Sequence, residues 1–480
     1  MRASIVLAAA AAPLAIVAAC AGTEDEPMLP PDSPPTTIPE AGVPDDADPF
    51  DVDVPDTRLP DCSSAGWCVT SFPDAELDFH DVWPFEDVAF AIAQSRTEGV
   101  KFLEWKKSTN AWEYIDDQSQ NGAGSGTFAG GVYAPSTNEV YFAVGSSSVY
   151  HGKRAAAPES KWTWTRTDLP DNVVGHPTTH DHGRPYNSVP REPTTAFGVW
   201  GAGAEDVYAH YSNTIFRRDP ADGTWSAVYT VDDLDAADEH AFFVSASGTG
   251  PDDIWFVGSR DRSTSLRRNF HCPLVVRKTA AGWERVSDGV VTTSPAAPCG
   301  LRAGTPRIGN AFGGWITGIQ PVSATELLAL HNGRTSNTAE VVNLTRIRVA
   351  DGGLPPDDGG LPPDDGGLPP DDGGLPPDDG GVPPDVVSFE QSLLPVKIAQ
   401  SAAPPVGPPR IMTSLWRGDG ETWFTAWGLV TRRADDDTYS VSTLSRDGAP
   451  VRVPFHKIRG TSNQNLWAVG ARHAYHKTTP

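Results

Sequence analysis

A chain of 480 residues has room for two to four domains or for one large all-β ring, and internal repetition favours the ring. Its net charge of −25 is unevenly spread: residues 21–61 hold twelve carboxylates against Arg58, residues 351–385 hold ten and no base, and the rest of the chain carries only −4. No basic stripe exists to displace phosphate counterions, so a nucleic-acid partner is excluded.

The N-terminus reads as an export signal over residues 1–19, with Arg2 ahead of an apolar run from Ile5 to Val17 that is too short for an ordinary membrane span. It ends in Val17-Ala18-Ala19-Cys20, which resembles the lipobox of bacterial lipoproteins. The resemblance implies an acylated Cys20 as the mature N-terminus and membrane contact through lipid alone, palmitate included. Residues 20–61, rich in Pro, Asp and Thr, cannot bury enough apolar area to offset their ordering entropy, and read as a disordered acidic stalk. Asp51 and Asp53 lack the Gly and Glu of a Ca²⁺ loop and read as a solvated charge run.

With Cys20 assigned to lipid, Cys62, Cys68, Cys272 and Cys299 remain. They permit three pairings, of which Cys62 with Cys68 and Cys272 with Cys299 join nearest neighbours in sequence; no CxxC spacing supports a metal site.

From Cys62 onward, the landmark of the repeat is an acidic or amide residue followed by apolar or aromatic strand residues. It occurs at Asp87 (DVAFAI), Glu139 (EVYFAV), Asp206 (DVYAH), Asp253 (DIWFVG), Glu326 (ELLAL), Glu421 (ETWFTAWG) and Asn465 (NLWAVG). The clearest unit, Ala196 to Thr230, contains four β-rich runs parted by turn residues, the length of one propeller blade. Seven landmarks predict an all-β, seven-bladed β-propeller over residues 62–480. Aromatic residues mark the expected outer strands at Trp112, Trp162 with Trp164, Trp225, Trp283 and Tyr439; the unit after Glu326 offers VVNLTRIRV instead. The last unit stops short of an outer strand, and Gly66-Trp67-Cys68-Val69 is the expected replacement, closing the ring by pairing the two chain ends.

Together with the lipobox and stalk, VWGAG at Val199–Gly203, DIWFVG at Asp253–Gly258 and NLWAVG at Asn465–Gly470 make the chain resemble the Trp-rich β-propeller lipoproteins of Gram-negative bacteria. The resemblance implies the fold and, with Ala21 rather than Asp after Cys20, an outer-membrane lipoprotein of the cell envelope; it brings no catalytic set.

Long insertions are expected at Asp168–Pro193, Asp288–Asn310 and Asp351–Pro409, each between an outer strand and the next inner one, and at Ser259–Pro273 between second and third strands. Both kinds of loop emerge on one face, where the Cys272–Cys299 bridge would join two of them and a protein or glycan ligand would bind. Residues 351–386 are a low-complexity loop: GGLPPDD four times from Gly352 to Asp379, then GGVPPDV, whose Gly-Gly and Pro-Pro pairs exclude helix.

His176, His180, Asp181 and His182 in GHPTTHDHGRPY are the weak metal candidates: imidazoles four and two apart can converge on Zn²⁺ in a curled loop, against the plainer reading of exposed histidines. Ca²⁺ at the Asp-Asp pairs of the repeat has no visible ligand cage. No GxSxG elbow or phosphate loop occurs. Phased Trp residues read as blade core; Trp315, Trp416 and Trp427 fall outside the outer-strand phase, with Trp416 a candidate for exposure. The leading functional reading is a monomeric, non-catalytic binding module without cofactor. The alternatives are an exported glycan hydrolase or lyase with its site in the funnel, and a structural envelope spacer.

Overall fold

The computed structural model describes residues 62–170, 197–350, 386–394 and 412–479, apart from 64, 123–126, 146, 158, 235–238, 264–268, 293, 295, 303–304, 324, 335–339, 427, 447–448 and 452. Seven antiparallel sheets form a seven-bladed propeller.

Blade 1 comprises Asp78–Pro84, Val88–Ser95, Gly99–Lys106 and Ala111–Tyr114. Blade 2 comprises Ala129–Ser136, Glu139–Val144, Ser148–Arg154 and Trp162–Asp168, and blade 3 Phe197–Gly203, Asp206–Tyr211, Thr214–Arg218 and Trp225–Thr230. Blade 4 has five strands, Glu239–Gly250, Asp253–Ser263, Asn269–Thr279, Gly282–Val291 and Cys299–Leu301. Blade 5 is Gly314–Ser323, Glu326–Arg334, Glu340–Ala350 and Val386–Leu393; blade 6 is Ser414–Gly418, Glu421–Ala426, Leu429–Arg433 and Tyr439–Thr443. Blade 7 takes Phe455–Ser462, Asn465–Gly470 and His473–Lys477 from the C-terminal end and Trp67–Val69 from the N-terminal one.

The ring closes as expected. Trp67 pairs with Lys477, Cys68 with His476 and Val69 with Tyr475, so the outer strand of blade 7 comes from the start of the propeller segment. Each blade's first strand lies against the first strands of both neighbours, and blade 1 meets blade 7 in the same way. Between blades the core is apolar and aromatic: Trp467 sits between blades 7 and 1 with Trp105 at 4.8 Å and Trp112 at 5.2 Å, and Trp67 meets Trp423 of blade 6 edge-on at 5.9 Å. These rings are nearly free of solvent, which is why the repeat spends Trp on its blades.

The recurring landmark has a structural cause. In six blades the residue opening the second strand accepts from a base on the third strand, and that base is the register partner of the residue two places after the acceptor. Glu139 holds His151, which pairs with Tyr141; Asp206 holds Arg217, which pairs with Tyr208; Asp253 holds Arg277, which pairs with Trp255. Glu326 holds Arg346, Glu421 holds Arg432, and Asn465 holds His476, whose partners are Leu328, Trp423 and Trp467. Where the middle residue carries a polar handle, it can donate to the same acceptor, as Tyr141, Tyr208 and Trp255 do. In blades 2, 3 and 4 the acceptor thus satisfies two neighbours at the edge of the core, and in blades 5, 6 and 7 it satisfies the base.

Three placements differ from expectation. VVNLTRIRV is the third strand of blade 5, and the outer strand is Val386–Leu393, with Phe389 on it. The GGLPPDD repeat therefore joins third to fourth strand within a blade. Its anchors, Ala350 and Val386, pair with each other at the end where Ser323 meets Glu326, on the rim opposite to the one expected. The third strand, which carries no Gly or Pro, pairs with the outer strand as far as Ala350 and Val386.

The insertions of blade 4 are largely sheet rather than loop. Ser259–Ser263 pairs with Asn269–Pro273 as an outgrowth of the second and third strands, and Gly289–Val291 pairs with Cys299–Leu301. Cys272–Cys299 bridges the third strand to the fifth, as expected, and Cys62–Cys68 pins the closing strand. Third, Trp315 and Trp416 are buried, at 5% and 6% exposure, so Trp416 is no exposed ligand platform.

Candidate functional site

The first strands of the seven blades enclose a central channel. Small residues leave it open: Gly130 and Gly131 in blade 2, Gly198 in blade 3 and Ser245 and Ala246 in blade 4 line it. At Gly198 the reason is direct, because a Cβ there would stand 2.6 Å from the His210 ring, which reaches the channel behind it from the second strand of blade 3.

The channel has a narrow throat and a wide mouth. The throat, about 80 Å³, is bounded by His80, Asp81, His210, His456, Lys457 and Arg459 among others. The mouth, about 440 Å³, opens where the first strands end, between Trp83, Phe85, Trp200, Gln320, Pro321 and Trp416. Lys457, Arg459, Trp200, Ser245 and Ala246 border both, so throat and mouth adjoin.

Charge in the throat is unbalanced. Asp81 accepts from the backbone N–H of Val82 at 2.8 Å and of Val132 in blade 2 at 3.0 Å. From blade 7, Arg459 donates through Nη1 to the carbonyls of Val82 at 3.1 Å and Val132 at 3.5 Å, and its guanidinium lies 4.3 Å from the Trp83 ring centre. Blades 7, 1 and 2 are thereby stitched together around one carboxylate. The cations stand off from it: Arg459 Nη1 is 3.6 Å and Lys457 Nζ 3.9 Å from Asp81 Oδ1. Among the described lining residues there are two fixed cations and one carboxylate. Burial in the ring interior holds both Lys457 and Arg459 below their ordinary pKa values, with Asp81 acting in the opposite direction.

Three histidines line the throat but do not form a cage. His456 shares a hydrogen with Asp78 at 2.8 Å, and its ring lies 5.8 Å from that of His80. Asp78 would be raised by burial, but its hydrogen bond and charge interaction with His456 lower it below the usual carboxylate range. His210 is different: both ring nitrogens are buried and have no hydrogen-bond partner among the described residues. Burial pulls its pKa down to about 3, so it is a neutral imidazole at pH 7. No group of three or more metal-ligating side chains able to hold an ion occurs among the described residues.

A second charged cluster is structural. Arg260, fully buried at the upper end of blade 4, binds Asp288 and, at 3.0 and 2.9 Å, Glu239 and Asp233; Arg285 and Arg302 complete the network on Asp233 and Asp288. Every charge there has a partner.

Of the residues singled out in the sequence, the four cysteines are placed as two bridges. Cys20, the stalk, His176, His180, Asp181 and His182, Trp427 and the GGLPPDD repeat lie outside the described residues. Asp81, Lys457 and Arg459 lie on first strands, which the second-strand landmark does not mark, and His210 sits inside the landmark run DVYAHY without a pattern of its own. The signal of the first three is visible in retrospect as charge inside short apolar runs, FHDVWP in blade 1 and FHKIRG in blade 7.

No family model and no curated protein matches the chain. Among solved structures it is similar to YCF48 bound to D1 peptide, at 12% identity over 88% of this chain and 99% of that one, TM-score 0.46. It is also similar to the β-propeller domain of Myceliophteria thermophila Cps50 (Swd1), at 8% identity over 84% and 100%, TM-score 0.44. A third is Drosophila semaphorin 1a, extracellular domains 1–2, at 9% over 86% and 88%, TM-score 0.42. The partners of those proteins do not transfer to this chain; the propeller assignment rests on its own strand pairing.

Proposed function

We propose that the chain is a non-catalytic recognition module of the cell envelope, tethered by lipid on Cys20 through the acidic stalk, with its ligand seated in the central channel. The observation that carries this reading is the mouth beside Trp83 and Trp200 that adjoins a narrow throat with an under-compensated pair of cations. First strands of blades 1, 3 and 7 present those groups, and a preorganised wall spends little entropy on binding.

The single lining carboxylate, Asp81, is occupied by two backbone N–H groups and has no second acid opposite it among the described lining residues. Glycoside hydrolysis in its usual form needs two such groups, so recognition is the better-supported use of this channel. The loop-rich rim was the expected binding face; the wider mouth lies at the other end.

The test is a thermal-shift and calorimetry screen of the mature chain against glycans and peptides, repeated with Ser245→Trp, which fills the passage. Binding that the substitution abolishes supports the proposal. Binding unaffected by it, or turnover of any glycan, overturns it. Metabolic labelling with a palmitate analogue, lost in Cys20→Ala, tests the anchor separately.

A further inference from the structure

Resting on the channel as the binding site, we infer that the throat takes the carboxylate group of a monoanionic ligand, held between Lys457, Arg459 and His210. Three independent features converge on it. Lys457 Nζ makes no hydrogen bond among the described residues, its nearest carboxylate oxygen being that of Asp81 at 3.9 Å. Arg459 uses Nη1 on two carbonyls, which aims the guanidinium and leaves its remaining N–H groups for a ligand. His210, 4% exposed, presents a ring with no partner for either nitrogen, although a buried imidazole without one is costly.

The number of charges selects the ligand. Two fixed cations against Asp81 leave one positive charge among the described lining residues, and one carboxylate neutralises it. A dianion would leave net negative charge in a poorly solvated site. Size agrees: about 80 Å³ accommodates a carboxylate head, and the body of the ligand would extend into the mouth of about 440 Å³ past Trp83 and Trp200. A neutral His210 donates one N–H to the carboxylate without adding charge.

A carboxylate can come from a small organic acid or from an acidic sugar, and the probes separate them. Acetate, glucuronate, glucose and inorganic phosphate are titrated into the mature chain by calorimetry at constant ionic strength. Acetate and glucuronate are expected to bind and glucose not to. Glucuronate binding tighter than acetate assigns an acidic sugar, and equal binding a small acid. Lys457→Met should weaken the carboxylates by about ten-fold or more, the scale of one charge-assisted hydrogen bond, while Lys457→Arg retains them.

Ser245→Trp, which narrows the throat while leaving all three holding residues in the chain, should abolish binding and serves if Lys457→Met does not fold. Carboxylates no better than chloride, phosphate tighter than acetate, or binding unchanged in Lys457→Met would each overturn the inference. A neutral glycan or peptide that binds and is blocked by Ser245→Trp, with no carboxylate effect, would leave the recognition proposal standing and remove only this one.

Discussion

Asp253 Oδ1 receives Arg277 Nε at 3.0 Å across the second and third strands of blade 4, and the same oxygen receives Trp255 Nε1 at 2.8 Å. The guanidinium also lies 4.9 Å from the Trp255 ring centre, so the three side chains form one unit. Asp253→Ala would remove the oxygen that the Trp255 indole N–H and the mostly buried Arg277 guanidinium share. We expect a loss of about 2–4 kcal/mol, and a smaller one in Asp253→Asn, which keeps an acceptor oxygen. Urea denaturation of the three proteins checks the order; equal stability would remove the landmark's structural explanation.

Ring closure depends on the short strand Trp67–Val69. Trp67 is fully buried against blade 6, so Trp67→Ala empties a seam that is sealed by few other groups from the N-terminal end. The expected cost is about 3–5 kcal/mol, read as a lowered denaturation midpoint. Hydrogen exchange should show the amides of His473–Lys477 losing protection first, because they pair with this strand. Uniform loss across all blades would argue against a locally sealed seam.

Buried neutral histidines give the stability a definite pH dependence. Burial lowers His210 to about 3, and His331 and His476 to about 4, against about 6.5 for an unfolded histidine. The unfolded chain binds more protons below that value. Their contribution is therefore complete above about pH 6.5 and declines as pH falls toward 4, by up to about 1.4 kcal/mol per pH unit for each histidine. Denaturation at pH 7.5, 6 and 5 should show this decline, and His476→Gln should flatten it. A stability constant over that interval would mean that these rings are solvated.

Arg260 has no solvent exposure and faces three carboxylates. Replacing it with Met keeps the volume but takes the central cation from buried Glu239 and from Asp288 Oδ1, with Arg285 and Arg302 still holding Asp288 Oδ2, at an expected cost of about 3–5 kcal/mol. Asp233, which burial alone would raise, is instead brought down to about 2 by hydrogen bonds from Arg285 and Arg260. Its share of stability is present above about pH 4 and is lost as pH falls toward 2. Asp233→Asn should remove that part of the acid transition, which circular dichroism between pH 5 and 2 would record.

Blade number, ring closure and both disulfide pairs were legible in the chain because each depends on local pattern. In six blades an acceptor opens the second strand to satisfy the base beside it, so the landmark recurs from blade to blade, and a last unit lacking an outer strand must borrow one. The base itself was less visible, since the distance from acceptor to base varies with the length of the intervening hairpin: it is 11 residues from Asp206 to Arg217 and 24 from Asp253 to Arg277.

Blade 5 shows where local pattern fails. VVNLTRIRV alternates as well as any outer strand, and only its pairing with both Glu326–Arg334 and Val386–Leu393 places it third and moves the repeat to the other rim. The channel shows it more strongly. Sequence alone determined that this chain builds seven sheets and joins its ends, because strand period, turn residues and Trp spacing are short-range properties. Only the tertiary structure decided that Asp81, His210, Lys457 and Arg459, up to 378 positions apart, face one throat: charge balance belongs to the groups that share a space, and closure of the ring creates that space.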